Sequence, residues 1–151
     1  MAFATNSDLL QYVPTITSHG VTDFSTQLTA AEADVKRYIE INWYNENFSQ
    51  GYNQLGRAIG AQFDASLLTE SQWTRSTVFR ALYAHILPLL SPFTVGGDTF
   101  REMIDYYRQR YLEEIKAEIA QGVEYDGNND GSISRGEVYR QRADRIYSTY
   151  R

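Results

Sequence analysis

Residues 68–90 read LTESQWTRSTVFRALYAHILPLL, and this stretch decides the fold. Its apolar side chains recur at three- and four-residue steps on more than one face, which predicts a helix buried on nearly all sides. Val78, Leu82 and Ile86 form its main row. We therefore expect this helix to be the most buried one, with a kink or an end at Pro88.

Capping boxes mark the expected starts of helices along the chain. In this motif a Ser or Thr is followed three residues later by Glu or Gln, and the two side chains satisfy free amides at a helix start. The motif begins at Thr29, Thr69, Thr99 and Ser134.

The periodicity after these boxes predicts amphipathic helices near 30–45 and 99–121 that pack against the helix at 69–90, with a shorter helix at 7–12. Residues 50–66 contain three glycines and no helical pattern, so we expect a loop there. Because no strand pattern is convincing, the sequence predicts an all-α fold. The expected architecture is a small helical bundle with long amphipathic helices, followed by an EF-hand-like loop and helix.

Composition narrows the classes of function. The chain has 151 residues, a formal net charge of −5 and no cysteine, which excludes disulfides, zinc–thiolate sites and cysteine nucleophiles. Its acidity disfavours a sequence-reading DNA-binding domain, which normally presents a basic face. No stretch approaches the ~18 apolar residues of a membrane span, and the N-terminus lacks the features of a signal peptide. We expect synthesis in the cytoplasm.

The motifs of common enzymes are missing as well. The chain has two histidines, His19 in an expected loop and His85 on the apolar helix, where a packed histidine is the ordinary interpretation. The sequence contains neither a G-x-S-x-G nucleophile motif nor a glycine-rich phosphate loop. We therefore expect a protein that is not an enzyme.

Residues 126–137 read DGNNDGSISRGE and fit the EF-hand calcium loop at every constrained position. Gly131 allows the sharp turn that this loop requires, and Glu137 is expected to bind with both carboxylate oxygens and to open the exiting helix. Ser132 should offer its backbone carbonyl. The six predicted ligands of one Ca²⁺ are Asp126, Asn128, Asp130, Ser132, Ser134 and Glu137.

The affinity of this site should be low, on the order of 10⁻⁵ to 10⁻³ M, because a single loop has no second loop to pair with. Mg²⁺ is the alternative ion, and a polar turn that binds no metal is the alternative structure.

The segment after the loop has a composition of its own. Residues 138–151 carry four arginines against one aspartate, whereas the rest of the chain has 10 basic and 18 acidic residues. Because Arg and Tyr anchor protein interfaces, we predict a docking tail, with a solvated helix as the alternative. The predicted partner-binding residues are Tyr139, Arg140, Arg142, Arg145, Tyr147 and Tyr150. The chain thus divides into a helical domain at 1–122 and a loop with a basic tail at 123–151.

Three segments of the helical domain carry a resemblance to a known family. Residues 28–39 read LTAAEADVKRYI and precede Asn42-Trp43; residues 68–73 read LTESQW and lead into Arg80-Ala81-Leu82-Tyr83; residues 4–10 read ATNSDLL. These patterns resemble the helices of head–tail adaptor proteins of tailed bacteriophages, over residues 4 to about 115.

The resemblance implies an all-helical subunit of the virion neck. Such subunits form a dodecameric ring beneath the portal, extend the channel through which DNA passes without sequence-specific binding, and present a surface to the next neck protein. Their C-terminal segment commonly reaches the portal. The EF-hand-like loop is not a general mark of that family, so a small monomeric EF-hand-type calcium-binding protein is the alternative. The oligomeric state separates the two.

Overall fold

The computed structural model describes residues 2–45, 62–91 and 98–139, and over these residues the protein is mostly helical, as predicted. Helix α1 spans Asn6–Tyr12 and helix α2 spans Ser25–Ile39, which continues into a π-helical turn at Glu40–Tyr44. A 3₁₀ turn at Glu70–Trp73 leads into α3 (Thr74–Ala81), a π-helical turn at Leu82–Ile86 and α4 (Leu87–Leu90). Helix α5 spans Asp98–Gln121.

Two strands follow the last long helix. Strand β1 (Val123–Glu124) pairs antiparallel with β2 (Val138–Tyr139), with Val123 opposite Tyr139. Short 3₁₀ turns complete the described part of the chain, at Ile16–His19, Ala65–Leu67 and Arg135–Glu137. The sequence analysis found no strand because each of these is only two residues long. Of the expected loop at 50–66, residues 50–61 lie outside the described residues.

The prediction of a central helix is confirmed. Helix α3 packs against both α2 and α5, and Val78, Leu82 and Ile86 are fully buried. The helical path does not break at Pro88, because this residue lies in the first turn of α4. Proline lacks a backbone amide hydrogen, and in the first turn of a helix that group would have no partner within the helix. The irregularity comes earlier, in the π-helical turn that links α3 to α4.

The start predicted for α2 was wrong. This helix begins at Ser25, and Thr29 lies inside it, with its hydroxyl donating to the Ser25 carbonyl at 2.9 Å. The free amides at the true start are satisfied by side chains outside the helix. The Phe24 amide donates to Asn6 Oδ1 at 3.0 Å and the Ser25 amide to Asp23 Oδ1 at 2.9 Å.

The boxes at Thr69 and Thr99 also differ from expectation. Thr69 precedes a 3₁₀ turn and makes no side-chain cap, and Gln72 instead bonds the backbone of the segment that follows α5. Its Nε2 donates to the Gly122 carbonyl at 2.8 Å, and its Oε1 accepts from the Glu124 amide at 3.1 Å. Helix α5 already includes Asp98, one residue before Thr99.

A single hydrophobic core joins the helices to the segment after α5. Its largest fully buried side chains include Trp43, Trp73 and Tyr125. Val123 and Tyr125 lie on the C-terminal side of the predicted boundary at 122, yet they are fully buried in this same core. Among the described residues, no helix combines the length and the apolar character needed to cross a bilayer.

Candidate metal centre

The loop at 126–137 leaves the helical body and returns to it at one point. Strands β1 and β2 close its base, and the Tyr125 amide donates to the Glu137 carbonyl at 3.1 Å. The Asp126 amide donates to the Leu67 carbonyl at 2.9 Å, and Leu68 forms a bridge with Tyr125. Both ends of the predicted metal site are therefore held by backbone hydrogen bonds.

Asp126 lies at the centre of the turn. Its Oδ1 accepts from the Asp130 amide at 3.1 Å and its Oδ2 from the Gly131 amide at 2.8 Å. Gly131 has a φ of +84°, a conformation that a side chain disfavours, as the motif predicted. These two bonds curl the chain around the first predicted ligand.

Asp130 is held by the residues on either side of it. Its Oδ1 accepts from the Ser132 amide at 2.9 Å and from the Ser132 hydroxyl at 2.8 Å, and its Oδ2 accepts from Asn128 Nδ2 at 3.1 Å. The hydrogen bonds from Ser132 hold the pKa of this carboxyl below its usual value. The lowered pKa favours the ionised carboxylate, which is the form that binds a metal ion.

Glu137 folds back over the loop and is buried. Its Oε2 accepts from the Ser134 amide at 2.9 Å and its Oε1 from the Asn128 amide at 3.2 Å. Hydrogen bonding from Ser134, chiefly from its backbone amide, lowers the pKa of the Glu137 carboxyl. Both carboxylate oxygens thus point into the loop.

The helix expected to begin at Ser134 is replaced by a 3₁₀ turn and a strand. The Glu137 amide donates to the Ser134 carbonyl at 2.9 Å, which makes a single turn. The chain then enters β2, because Val138 and Tyr139 pair with β1. The described residues directly on either side of the loop therefore form a β-ladder, where an EF-hand has helices.

The six predicted ligands come from one continuous loop, and their donor atoms are all hard oxygens, which suits Ca²⁺ or Mg²⁺. The carboxylates point at backbone amides of the loop. Among the described residues, no three His, Cys, Asp or Glu side chains are grouped closely enough to share an ion. Each carboxylate has about four acceptor positions, so it can hold an amide and a metal ion together. Joint binding of one ion by Asp126, Asp130 and Glu137 therefore requires these carboxylates to lie closer together than they do in this structure.

The residues that anchor the loop were not predicted from the sequence. The Tyr125 ring lies 5.6 Å from the Trp43 ring and 6.2 Å from the Phe63 ring, and its hydroxyl accepts from the Asp64 amide at 3.3 Å. The alternation of apolar Val123 and Tyr125 just before the loop was the available signal. A two-residue alternation is too short to predict a strand.

Of the predicted partner-binding residues, the structure describes only Tyr139. Its ring is half-buried, 6.1 Å from the Trp43 ring, and burial raises the pKa of its hydroxyl. Tyr139 therefore contributes to the body as well as to the tail. Arg140, Arg142, Arg145, Tyr147 and Tyr150 lie outside the described residues. Comparison of the chain with protein-family models, curated proteins and solved structures found no match.

Proposed function

We propose that this chain is a non-catalytic structural subunit of a tailed-phage neck. It forms a ring between portal and tail that extends the DNA channel, and its C-terminal segment, stapled by Ca²⁺, docks to the portal. The resemblance of three helical segments to head–tail adaptors supports this function, and the mostly helical fold agrees with it. An acidic body suits a channel wall that must not grip the phosphate backbone of passing DNA.

The observation that carries the proposal is the attachment of the loop to the core immediately before the basic tail. The Asp126 amide is bonded to Leu67 at one end, and Tyr139 packs on Trp43 at the other. Without a cation, three carboxylates share a small loop and repel one another. A bound ion cancels that repulsion and adds to the backbone hydrogen bonds that already hold both ends of the loop. The ion has a structural role and takes part in no reaction.

A small monomeric calcium-binding protein is the second candidate. Two features of the loop favour this candidate: the positive φ of Gly131 and the amides directed at Asp126. Both concern ion binding by the loop itself, and neither requires a partner protein. In that case calcium should change the shape of a monomer, whereas an adaptor should assemble at any calcium level.

Native mass spectrometry and sedimentation velocity in EDTA and in millimolar calcium separate the two. An adaptor is expected as a ring in both conditions, or as a species captured on the portal, with weaker capture in EDTA than in calcium. A monomer that changes its sedimentation coefficient with calcium and ignores the portal would contradict the adaptor function and support the second candidate.

A further inference from the structure

A groove of about 450 Å³ runs between α2 and α5, and we call it the basic groove. Its charged lining residues are three arginines, Arg37, Arg80 and Arg108, and one aspartate, Asp34. Among the described residues that line it, the formal balance is +2, in contrast with the net charge of −5 of the whole chain. A positive groove on an acidic protein therefore needs an explanation.

Arg80 and Asp34 are already engaged with each other at the floor of the basic groove. Arg80 Nε donates to Asp34 Oδ2 at 2.8 Å, and the guanidinium lies 5.0 Å from the Tyr83 ring centre. His85 Nε2 lies 2.9 Å from the same carboxylate oxygen. These contacts satisfy the aspartate and leave the remaining positive charge of the groove on its rim.

The rim consists of Arg37 and Arg108, both exposed, with Ile41 and Leu112 beside them. Neither arginine forms an ion pair with any described residue. Ile41 is 50% exposed and Leu112 is 39% exposed. Arginines next to tyrosines and open apolar side chains are characteristic of the centre of a protein interface.

The other flank of α5 has the opposite charge. A groove of about 500 Å³, which we call the acidic flank, is lined by Glu114, Glu118, Glu124 and Arg75, together with uncharged side chains such as Gln121. Arg75 Nη1 pairs with Glu114 Oε1 at 3.1 Å, so the remaining acidic groups of this flank are Glu118 and Glu124. Glu118 is buried, whereas Glu124 is partly exposed.

The basic groove and the acidic flank lie on different sides of α5. At 100° per residue, the side chains of α5 that line the basic groove and those that line the acidic flank are roughly 120° apart around the helix axis. One copy of the chain thus offers a positive face and a negative face that cannot meet each other. Two different faces of this kind make a head-to-tail contact, the type of contact that closes identical subunits into rings.

We propose that the basic groove of one copy receives the acidic flank of a second copy of this chain, and that this contact joins neighbouring subunits. The inference rests on the ring proposed above and names the surfaces that build it. Opposite charges guide the two faces together, and burial of Ile41 and Leu112 adds apolar contact. The occupant is a second copy because one chain carries both faces, and the partly exposed carboxyl of Glu124 on the acidic flank has the charge opposite to that of Arg37 and Arg108 on the rim of the basic groove.

Charge exchange tests the proposal. Arg37→Glu/Arg108→Glu makes the basic groove negative, and Gln121→Lys/Glu124→Lys makes the acidic flank positive. Each variant alone should need at least a tenfold higher concentration than the wild type to assemble, measured by sedimentation velocity. An equimolar mixture should assemble again, in alternating order, because each reversed face then meets an opposite one. The matched control is Arg101→Glu/Lys116→Glu, which removes the same charge from exposed positions on α5 that line neither surface.

The outcomes separate this inference from the proposed function. A wild-type chain that never assembles contradicts the ring itself. A wild-type ring that tolerates both reversals, or a mixture that stays unassembled while each variant is folded by circular dichroism, overturns the interface and leaves the ring standing. Should a double variant unfold, the single changes Arg108→Glu and Gln121→Lys, both at exposed positions, give the same test with smaller shifts.

Discussion

The backbone amide of Asp126 donates a 2.9 Å hydrogen bond to the carbonyl of Leu67, so the first predicted metal ligand is tied to a turn in the first half of the chain. Leu67 is buried, and its neighbour Leu68 pairs with Tyr125 in an isolated β-bridge. The geometry of the loop and the packing of the core therefore depend on each other, and an ion bound by the loop should stabilise the whole protein.

We expect calcium to bind with a dissociation constant on the order of 10⁻⁵ to 10⁻³ M, and Glu137→Gln to weaken binding at least tenfold. The substitution removes a charged oxygen that points into the loop. Isothermal titration calorimetry measures both values. The matched control is Glu113→Gln, an exposed carboxylate on α5, which should titrate like the wild type. Identical curves for all three proteins would remove the site.

Calcium should also raise thermal stability. At a free concentration a hundred times the dissociation constant, binding to the folded state alone adds about 2.7 kcal/mol to the free energy of unfolding. For a chain of this size each kcal/mol raises Tm by about 2–4 °C. Melting followed by circular dichroism at 222 nm checks this, the wavelength being that of the α-helix signal. A calcium-independent Tm in a protein that binds calcium would show that loop and core are uncoupled.

Replacing Leu82 with Ala should lower the free energy of unfolding by about 2–5 kcal/mol, since the side chain is fully buried between α2 and α5 and its loss leaves a cavity. Leu89→Ala is the control, because Leu89 is 46% exposed. It should cost less than about 0.5 kcal/mol. Urea unfolding measures both, and equal losses would contradict the central position of this helix.

Glu118 should make the protein less stable as the pH rises. Burial, partly opposed by a 2.5 Å hydrogen bond from the Ser76 hydroxyl, raises the pKa of its carboxyl from 4.5 to about 7. Between these values the folded state binds more protons than the unfolded state, so stability falls from pH 4.5 to about pH 7 and then levels off.

The variant Glu118→Gln should remove this slope. At pH 8 its free energy of unfolding should exceed that of the wild type by about 1 kcal/mol or more, since one pKa unit corresponds to about 1.4 kcal/mol. Near pH 4.5 the two free energies of unfolding should be equal. Chemical unfolding across this pH range is the measurement. The exposed Glu113→Gln supplies the control, and a wild-type slope that survives in Glu118→Gln would assign the effect to another group.

The tail prediction needs a cut that spares the core. A truncation after Tyr139 removes the basic residues from Arg140 onward and keeps β2, whereas a cut at the end of α5 would remove the buried Val123 and Tyr125. The truncated chain should lose binding to the portal of the same phage, and Asp126→Ala/Asp130→Ala should weaken it. Surface plasmon resonance in calcium measures both. If the truncated chain binds the portal as tightly as the wild type, the tail does not dock to the portal and the prediction is wrong.

The buried row of the central helix was predictable because a helix apolar on several faces has only one stable environment. Val78, Leu82 and Ile86 repeat at four-residue steps, and no tertiary detail was needed to place them. The start of α2 was not predictable in this way. Thr29 satisfies the capping pattern locally, but the free amides at Phe24 and Ser25 are bonded by Asn6 and Asp23, and the first of these comes from α1.

The candidate site shows the same division. The positive φ of Gly131 follows from the loop motif itself, whereas the β-ladder at the base of the loop depends on pairing between distant residues. The burial of Glu118 could not be predicted from the sequence, because it results from the approach of Ser76 on another helix. The basic groove escaped notice for a similar reason, since Arg37 and Arg108 come from α2 and α5 and meet only in the folded chain.

The pairing of Val123 with Tyr139 has a consequence for the history of this chain. Because the chain enters and leaves the loop at neighbouring positions, the length of the loop does not affect the path of the backbone in β1 and β2. A single insertion or deletion can therefore add, lengthen or remove the loop while the pairing of β1 with β2 is preserved. Relatives of this protein with a short turn in place of the loop should therefore share its helices and the two strands.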